Sequence, residues 1–426
     1  MLDLDDATRR TLAHVASARG TPCYVYFADE ARERARRLAR ALAGRFEVSF
    51  AVKANPNRAL LAALRGSVDG LDVSSVAEIE RAVAAGHEAG ALTFSGPAKR
   101  AQDLERALAL SLEEIVCESE REVEAWDRIA RARGRRLPFL VRVNPRTVPR
   151  GFAMVLAGRA SQFGIDEEDL DPVLGRLAGR RGLDFAGFHV LAGTSSLDEE
   201  AIARCLGDSA ALFGRLARAH DLRPRKLIFG SGFGIPYHPG ERALDVDALC
   251  PRIVAAVDGA IRDEPRLSQA RLVLELGRWL VGPCGYFLTT VIHEKRSRGV
   301  EIRVCDAGLN AHLPACGLFG QAIRRPWRLA KANARGDEPV RRYRLVGPLC
   351  TAVDTIALEV ELHELGMGDV IAIGASGAYG LTASPIGFGS HPAPREYLVT
   401  GTGGAGEAAG PRVDDVSEEA GPPAPA

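Results

Sequence analysis

The sequence predicts an α/β fold in which a (β/α)8 barrel is followed by a mainly antiparallel β domain. Two observations support this prediction. Between Phe46 and Leu276, eight short apolar runs alternate with longer segments rich in Ala, Leu, Arg and Glu, whose apolar residues recur at helical spacing. After Gly277, strand-like runs follow one another with few helical segments between them. For the first region, an open doubly wound sheet is the structural alternative.

The barrel strands are predicted from the apolar runs, and the helices from amphipathic segments such as ARERARRLARALAG and VAEIERAVAAG. Gly44 and Gly86 mark the ends of two of these helices. The eight runs are FEVSFAVK (46–53), GLDV (70–73), ALTFS (91–95), EEIVC (113–117), PFLVRVN (138–144), DFAGFHV (184–190), KLIFG (226–230) and ARLVLEL (270–276).

The β domain is predicted from the runs GYFLTTVIHE, VEIRVCDAG, RRYRLVG, DTIALEVEL, DVIAIG and REYLV. The early run PCYVYF (22–27) is predicted to add a strand to it. From about Gly401 the chain is rich in Gly, Pro, Ala and acidic residues, which predicts disorder. The expected divisions are an N-terminal segment (1–27) that joins the β domain, the barrel (28–280), the β domain (281–400) and a disordered tail (401–426).

The composition excludes several classes of function. The 426 residues are 46% hydrophobic and 26% charged, which is ordinary for a globular protein. Basic and acidic residues both total 55, so no global positive field favours nucleic acid or an anionic membrane. No apolar run reaches the ~20 residues that span a bilayer, and MLDLDDATRRTL lacks the apolar stretch of a signal peptide. The eight cysteines form no CxxC pair, so neither a zinc site nor a disulfide framework is indicated, and we expect a cytoplasmic protein.

Lys53 is the clearest functional signal. Only five of the 55 cationic residues are lysines, and Lys53 ends the first predicted barrel strand within VSFAVKANP. Barrel active sites lie at the carboxyl ends of the strands. A partly desolvated lysine there has a lowered pKa, and its neutral amine forms Schiff bases, which arginine cannot do. Lys53 is therefore the predicted cofactor-bearing residue.

Two further features follow the seventh and eighth predicted strands. The glycines of Gly230-Ser231-Gly232-Phe233-Gly234 let backbone N–H groups approach a phosphate, although a tight turn explains them equally well. In Glu275-Leu276-Gly277-Arg278, Arg278 can clamp a phosphate and Glu275 can keep a ring nitrogen protonated; a structural ion pair is the alternative. Together with Lys53, these features describe a site for pyridoxal 5'-phosphate.

Ten short motifs stand in order along roughly residues 20–400. They are AVKAN around Lys53, DVSSVAE (72–78), FSGPAK (94–99), VRVNP (141–145), QFGI (162–165), GFHVLAGT (187–194), GSGFGIPY (230–237), ELGR (275–278), GPLCTAVD (347–354) and GAYG (377–380). With these motifs the chain resembles the fold-type III pyridoxal-phosphate decarboxylases, the group of diaminopimelate, ornithine and arginine decarboxylases.

The resemblance implies roles for individual residues. Lys53 carries the cofactor, Glu275 pairs with its pyridine nitrogen, and Cys350 protonates the carbanion. Cys350 lies on a loop that the second subunit contributes, so the resemblance implies a homodimer with shared active sites. The residues implied at the cofactor are Asp72, Arg142, His189, Thr194, Gly230, Gly232, Glu275, Gly277, Arg278 and Tyr379, of which Thr194, Gly232, Arg278 and Tyr379 hold the phosphate. Those implied at the substrate are Thr351, Asp354 and Asn310.

Three departures from the family pattern bear on the substrate. Leu191 stands where the family's HxHxGS motif places a histidine against the cofactor ring, and Gln162 replaces the lysine of KFGI. Thr351 follows Cys350, where the family has an acid for the substrate's distal amine. Without that acid, a buried distal ammonium lacks its partner, which argues against lysine, ornithine or diaminopimelate.

The stretches DAGLNAHLPACGLFGQAIRRPW (306–327) and GPLCTAVD resemble a subgroup that decarboxylates aminoacyl groups on carrier proteins, such as the glutamyl-carrier-protein decarboxylase of butirosin (antibiotic) assembly. A dicarboxylic amino acid tethered through its side chain keeps its α-amine and α-carboxylate free. The resemblance thus implies a glutamyl, aspartyl or methylaspartyl group on an acyl-carrier protein; a free amino acid or a siderophore intermediate is the alternative. An arginine rim that steers an acidic carrier, or that is merely solvated charge, comprises Arg324, Arg325, Arg328, Arg341 and Arg342.

Two other functions fit the sequence less well. Amino-acid racemases share the barrel and β domain, but they use a catalytic tyrosine and an arginine at the pyridine nitrogen, whereas this chain has Glu275 and Cys350. A cofactor-free regulator of antizyme-inhibitor type has no need to keep Lys53, Arg278 and Cys350 together.

Overall fold

The computed structural model describes residues 1–112, 114–176, 182–318, 325–401 and 411–418. The chain divides into two compact units. The barrel unit comprises residues 32–234 and 243–277, and the sheet unit comprises residues 1–31, 235–242 and 278–426.

The barrel unit contains a closed ring of eight parallel strands. The ring order is β2-β3-β4-β5-β6-β9-β11-β12, and β12 returns to pair with β2. Pairing of β5 with β6, where Ile115 lies opposite Phe139, closes the ring, so the open-sheet alternative is wrong and the predicted (β/α)8 barrel is confirmed. The strands are β2 (Glu47–Ala51), β3 (Gly70–Val73), β4 (Leu92–Phe94), β5 (Ile115–Cys117), β6 (Leu137–Asn144), β9 (Leu183–Val190), β11 (Lys226–Gly230) and β12 (Arg271–Leu276).

Local capping fixes where the barrel helices begin. Ser75 accepts a hydrogen bond from the N–H of Glu78 at 3.2 Å, and Ser119 accepts one from Glu122 at 3.2 Å, each satisfying a donor of the first turn. Gly86 follows the fourth helix with a φ of 85°, a conformation that glycine adopts without strain. The helices are α2 (Ala28–Ala41), α3 (Arg58–Leu64), α4 (Val76–Ala84), α5 (Ala101–Ala109), α6 (Glu120–Ala132), α7 (Leu170–Gly175), α8 (Glu199–Ala219) and α9 (Val246–Asp263).

A layer of aliphatic side chains packs together between neighbouring barrel strands. Its members are at most 4% exposed, which explains why the strands read as continuous apolar runs rather than as alternating patterns. Each buried Val, Leu or Ile side chain stabilises the fold by about 1.5–3 kcal/mol. The layer consists of Val116, Leu140, Ala186, Ile228 and Val273.

Three two-residue strands lie within the loops of the barrel unit. The strand β7 (Met154–Val155) pairs antiparallel with β10 (Gly193–Thr194), and β8 (Ile165–Asp166) pairs in parallel with the end of β6. These pairings fix the loops that follow β6 and β9.

The sheet unit is built on one mixed sheet with the order β17-β16-β14-β13-β1-β19-β20; β18 pairs with β13 and β15. Most pairs are antiparallel, but β1–β19 and β14–β16 are parallel. The strand predicted from PCYVYF is β1, which pairs with β13 and β19. The elements are α1 (Asp6–Arg19), β1 (Cys23–Phe27), α10 (Arg278–Val281), β13 (Gly285–Ser297), β14 (Val300–Cys305), β15 (Leu329–Lys331), β16 (Val340–Val346), β17 (Thr355–His363), β18 (Val370–Ile373), β19 (Arg395–Thr400) and β20 (Arg412–Asp415).

Two expectations about the divisions of the chain need correction. Residues 412–415, assigned to the disordered tail, form β20 and pair antiparallel with β19; an ion pair between Arg395 and Asp415 at 2.9 Å supports this pairing. Residues 28–31, 235–242 and 278–280, assigned to the barrel, belong to the sheet unit. The rest of the tail, 402–410 and 419–426, lies outside the described residues.

Within the described ranges, no helix has both the length and the apolar character needed to cross a membrane. All eight cysteines lie in described ranges and are free thiols, and Cys350 is the only exposed one among them.

Candidate active site at the mouth of the barrel

Lys53 lies just beyond the carboxyl end of β2, in a short 3-10 turn formed by residues 52–54. Its Nζ donates to Asp72 Oδ2 at 2.7 Å and lies 3.5 Å from Glu275 Oε1. The side chain of Lys53 is 35% exposed, whereas those of Asp72 and Glu275 are 3% and 6% exposed. An accessible amine is therefore held by two buried carboxylates.

Glu275, the penultimate residue of β12, has a second partner besides Lys53. Its Oε2 lies 3.0 Å from Nε2 of His189, a residue of β9 that is 1% exposed. The other ring nitrogen of His189, Nδ1, is buried and has no hydrogen-bond partner within the described part of the chain. Lys53 and His189 thus hold the two oxygens of Glu275 in a fixed orientation.

The two carboxyls differ in their readiness to ionise. Burial raises the pKa of Glu275, but the charge of Lys53 and the hydrogen bond to His189 outweigh burial and hold that pKa well below its ordinary value. Burial, followed by the charge of Glu275, raises the pKa of Asp72 despite its contact with Lys53. Glu275 is therefore the carboxylate that stays negative at neutral pH, as pairing with a protonated ring nitrogen requires.

Arg142 on β6 is held by Glu118, which lies just after β5. The Nη1 of Arg142 donates to Glu118 Oε1 at 2.9 Å, and both side chains are almost fully buried. Glu118 also accepts from the backbone N–H groups of Gly96 at 2.7 Å and Gly164 at 3.2 Å. The guanidinium of Arg142 stacks on Phe163, 4.7 Å from the ring centroid. One carboxylate thus joins the loops that follow β4, β5 and β6.

The glycines that were predicted to cradle a phosphate lie where loops pack closely. A Cβ on Gly232, whose φ is +66°, would lie 2.5 Å from the ring of Phe152, and a Cβ on Gly230 would collide with Leu191. Thr194 belongs to β10 and is half-buried. A Cβ on Gly277 would lie 2.7 Å from Ala54 in the turn of Lys53. Glycine at these positions allows the strand-end loops to approach one another.

Within the sheet unit, Arg278 is held between two tyrosine rings. Its guanidinium carbon lies 4.7 Å from the ring centroid of Tyr379 and 5.6 Å from that of Tyr237, and its Nη1 donates to the hydroxyl of Tyr237. The Nε of Arg278 is buried and without a partner among the described residues. Trp327 stacks on Tyr237 with a centroid distance of 4.2 Å. Arg278 is therefore pre-oriented and keeps a free donor.

The loop at 347–354 in the sheet unit carries Cys350, which is exposed, and Thr351, which is half-exposed. Asp354 closes this loop: its Oδ1 accepts from the N–H of Leu309 at 2.7 Å and its Oδ2 from that of Leu349 at 2.8 Å. Both oxygens of Asp354 therefore accept from the backbone and close this loop, and its contact with the substrate stays a prediction.

Asn310 likewise makes a local contact. It is 1% exposed, and its side-chain oxygen accepts from the N–H of Gly308 at 3.1 Å. This bond shapes the turn after β14 and leaves its predicted contact with substrate without support from the geometry.

Residues 28–282 match the family model of the pyridoxal-dependent decarboxylases, pyridoxal binding domain. The chain belongs to this family of decarboxylases. It is 30% identical to the L-glutamyl-[BtrI acyl-carrier protein] decarboxylase of Niallia circulans over 89% of this chain and 88% of that protein. It is 31% identical to the diaminopimelate decarboxylase of Pseudomonas aeruginosa, over 92% and 90% of the two chains. The predicted family is thereby confirmed.

Solved structures show the same fold. The diaminopimelate decarboxylase of Helicobacter pylori complexed with L-lysine superimposes with a TM-score of 0.82 at 24% identity, over 96% of each chain.

A more distant curated relative, from Staphylococcus aureus, is a 2-[(L-alanin-3-ylcarbamoyl)methyl]-2-hydroxybutanedioate decarboxylase that is 26% identical over 89% of this chain and 94% of its own.

The cofactor of the decarboxylase is pyridoxal 5'-phosphate, and the residues of the barrel mouth fit it. A partly exposed amine stands at a strand end, a buried carboxylate stays ionised beside it, and the buried Nδ1 of His189 lacks a partner. These groups match an aldehyde that bonds to Lys53 and a pyridinium that needs a negative partner in Glu275.

The sequence analysis did not single out two residues that hold predicted site residues in place: Glu118, which binds Arg142, and Tyr237, which binds Arg278. Glu118 follows the strand IVC directly, and a charged residue at the carboxyl end of a barrel strand was an available signal. Tyr237 ends the motif GSGFGIPY, but nothing in the sequence indicates that it contacts Arg278.

Proposed function

We propose that this decarboxylase removes the α-carboxylate of a dicarboxylic aminoacyl group, glutamyl, aspartyl or methylaspartyl, tethered through its side-chain carboxyl to an acyl-carrier protein. We further propose that it acts as a cytoplasmic homodimer with shared active sites in a natural-product pathway. When bound, pyridoxal phosphate accepts the electron pair that remains on the substrate Cα after CO2 departs.

The observation that carries the substrate proposal is the loop at 347–354. Its only carboxylate is Asp354, whose two oxygens accept from the backbone of Leu309 and Leu349. Thr351 offers a hydroxyl, which cannot neutralise an ammonium group. A free diamino acid therefore finds no counter-charge in this loop, whereas an acylated side chain needs none.

The names of two relatives support a substrate that is joined to a larger group through its side chain. The Niallia circulans protein is named for a glutamyl group on an acyl-carrier protein, and the Staphylococcus aureus protein for an L-alanin-3-yl group, which is joined through its side-chain carbon to a carbamoyl group. The diaminopimelate decarboxylases of similar identity keep a free diamino acid as the alternative substrate.

Each residue of the proposed site has a separate role in the reaction. Lys53 provides the amine that bonds the cofactor, and Asp72 holds that amine in place through its 2.7 Å contact. Glu275 keeps the ring nitrogen protonated, and His189 orients Glu275. The Cα–carboxylate bond breaks with loss of CO2, and the thiol of Cys350 from the second subunit donates a proton to Cα. The exposure of Cys350 supports this assignment, because its thiol is accessible to a second copy of the chain.

The proposal is tested by offering the cofactor-loaded enzyme free glutamate, aspartate, lysine, ornithine and diaminopimelate beside glutamyl and aspartyl thioesters of an acyl-carrier protein. Intact-mass spectrometry of the carrier reports loss of one CO2. We expect the carrier-bound groups to react and the diamino acids to react negligibly. Efficient turnover of a free diamino acid would contradict the proposal of a carrier-bound substrate and would indicate a decarboxylase of free diamino acids, such as diaminopimelate.

A further inference from the structure

The segment from Pro145 to Ile165, called the rim segment below, joins the end of β6 to β8. It contains Arg146, Arg150 and Arg159 and no acidic residue. This local excess of positive charge stands out in a chain whose basic and acidic residues balance at 55 each.

The rim segment is fixed to the mouth of the barrel. Its strand β7 pairs with β10, so that Met154 lies opposite Thr194. The N–H of Leu156 donates to Ala192 O at 2.9 Å, just beyond the end of β9. Phe152 packs against Gly193 and Gly232, the latter just after β11. The segment therefore lies over the strand ends that carry the candidate site.

Of the four acidic residues that directly follow the rim segment, 166–169, two are in ion pairs within the described part of the chain. Glu168 forms an ion pair with Arg146 at 3.2 Å, and Glu167 forms one with Arg215 on α8 at 3.0 Å. These pairs neutralise Arg146 but leave the other two arginines of the rim segment.

Arg150 and Arg159 are exposed and have no carboxylate partner among the residues that the structure describes. Arg159 is held against β7, because its Nη2 donates to the backbone oxygen of Val155. A fully extended chain covers about 3.6 Å per residue, so Arg150 lies within about 14 Å and Arg159 within about 18 Å of Met154, measured between Cα atoms. Two guanidinium groups without a carboxylate partner in the described ranges thus lie on either side, along the chain, of the strand that pairs with Thr194.

The arginines that the sequence favoured for carrier docking are engaged elsewhere. Arg328 donates to the backbone oxygens of His238 and Glu241, and Arg324 lies outside the described residues. The other three form ion pairs: Arg325 with Glu241 at 3.2 Å, Arg341 with Glu364 at 2.8 Å and Arg342 with Glu359 at 2.7 Å. Their charge is largely neutralised within the sheet unit.

We propose that Arg150 and Arg159 bind the phosphate of the phosphopantetheine arm that presents the aminoacyl group. This inference rests on the proposed function and deepens it by locating the arm. Guanidinium groups bind phosphate through charge-assisted hydrogen bonds, and pre-positioned ones do so best. Met154, Val155 and Leu156 lie between the two arginines in the chain and are half-exposed, so they are available for apolar contact with the arm's aliphatic portion.

The test compares binding of free 4'-phosphopantetheine and of pantetheine, which lacks the phosphate, to the cofactor-loaded enzyme by calorimetry at low ionic strength. The variant is Arg150→Ala with Arg159→Ala. The matched control is Arg128→Ala with Arg223→Ala, which removes the same charge from two exposed arginines, on α6 and ahead of β11, that form no ion pair with any residue in the described ranges.

We expect the wild type and the control to bind phosphopantetheine about tenfold or more tightly than pantetheine, and the rim variant to lose this preference. Equal affinity of the wild type for the two ligands, or an unchanged preference in the rim variant, overturns the inference. Binding does not depend on turnover, so this result is read separately from the decarboxylation assay. Binding of holo-carrier protein, which has the arm, is compared with binding of apo-carrier protein, which lacks it. If the rim variant loses affinity for both carriers equally, the arginines contact the carrier surface and the inference is overturned.

Discussion

The Nζ of Lys53 lies 3.5 Å from Oε1 of Glu275, although the two residues stand at opposite ends of the barrel sequence. The reason is the closure of the ring, because β12 pairs in parallel with β2 and places Leu276 opposite Phe50. The amine that bonds the cofactor and the carboxylate that serves its ring nitrogen thus meet only in the folded barrel.

Replacing Lys53 by alanine is expected to abolish turnover and the visible absorbance of the lysine-bound cofactor while the protein stays folded. Borohydride reduction followed by peptide mass spectrometry should label Lys53 in the wild type. Lys295 is the matched control, because it is exposed on β13, whereas Lys99, Lys226 and Lys331 are held in ion pairs. Labelling at Lys295, or normal turnover without Lys53, contradicts the assignment.

The pair formed by Glu118 and Arg142 is expected to stabilise the barrel mouth as a unit. Glu118→Gln leaves the buried guanidinium without its counter-charge, and breaking a buried pair in this way costs about 3–5 kcal/mol. Urea unfolding of Glu118→Gln, Arg142→Gln and the double variant forms a cycle that isolates the coupling. We expect the double variant to be less destabilised than the sum of the single changes; strict additivity contradicts a coupled pair.

Cys350→Ala is expected to slow proton delivery to the substrate more than CO2 release, because the carbanion forms before the thiol acts. Without the thiol, protons would be delivered to the wrong atom in some turnovers, so activity and the visible absorbance of the lysine-bound cofactor should decline gradually during the reaction. Mixing Lys53→Ala with Cys350→Ala subunits should restore part of the activity, since each hybrid dimer has one intact site. If no mixture exceeds its parents despite proven subunit exchange, the shared site is refuted.

His312 is expected to make the sheet unit sensitive to acid. Burial lowers the pKa of His312 to about 3, and its ring packs between Tyr24 and Trp327. The unfolded chain takes up a proton near pH 6.5, whereas the folded chain does not, so stability is lost as the pH falls below about 6.5. The free energy of unfolding therefore falls by about 2 kcal/mol when the pH is lowered from 7.5 to 5.0.

Urea unfolding at the two pH values checks this prediction, with His312→Gln as the comparison because its amide can still donate to Ser376. The wild type should lose about 2 kcal/mol more than His312→Gln on acidification. Equal losses in the two proteins show that other groups control the acid sensitivity.

The barrel was predictable because its strands are buried on both faces and read as uninterrupted apolar runs. GLDV and KLIFG coincide with β3 and β11. The strand β20 was not predictable, since RVDD has the composition of a tail and its order comes from pairing with β19. A sequence pattern reports local burial, whereas such a strand depends on a partner formed elsewhere in the chain.

The site was predictable where strand ends identify chemistry, as at Lys53 and Glu275. The role of Glu118 was not predictable. The sequence alone does not distinguish a buried glutamate that accepts hydrogen bonds from Gly96, Gly164 and Arg142 from a glutamate that is exposed to solvent. Asp354 shows the converse. The resemblance implied that it contacts the substrate, whereas its two bonds to the backbone N–H groups of Leu309 and Leu349 could not be predicted from the sequence.

Thr351→Glu is expected to move substrate choice toward free diamino acids. The side chain is half-exposed, so a carboxylate can be accommodated beside Cys350. A stranded ammonium costs roughly 3–5 kcal/mol, or about a hundred- to several thousandfold in affinity, and the new carboxylate recovers part of that loss. We expect kcat/KM for lysine or diaminopimelate to rise at least about tenfold, while carrier-bound glutamyl reacts more slowly because its acylated side chain meets an unpaired charge.

Thr351→Gln is the matched control, since glutamine has the size of the introduced glutamate without its charge and should leave diamino acids unreactive. An equal gain in both variants traces the effect to pocket shape, and no gain in either shows that the distal ammonium does not reach position 351.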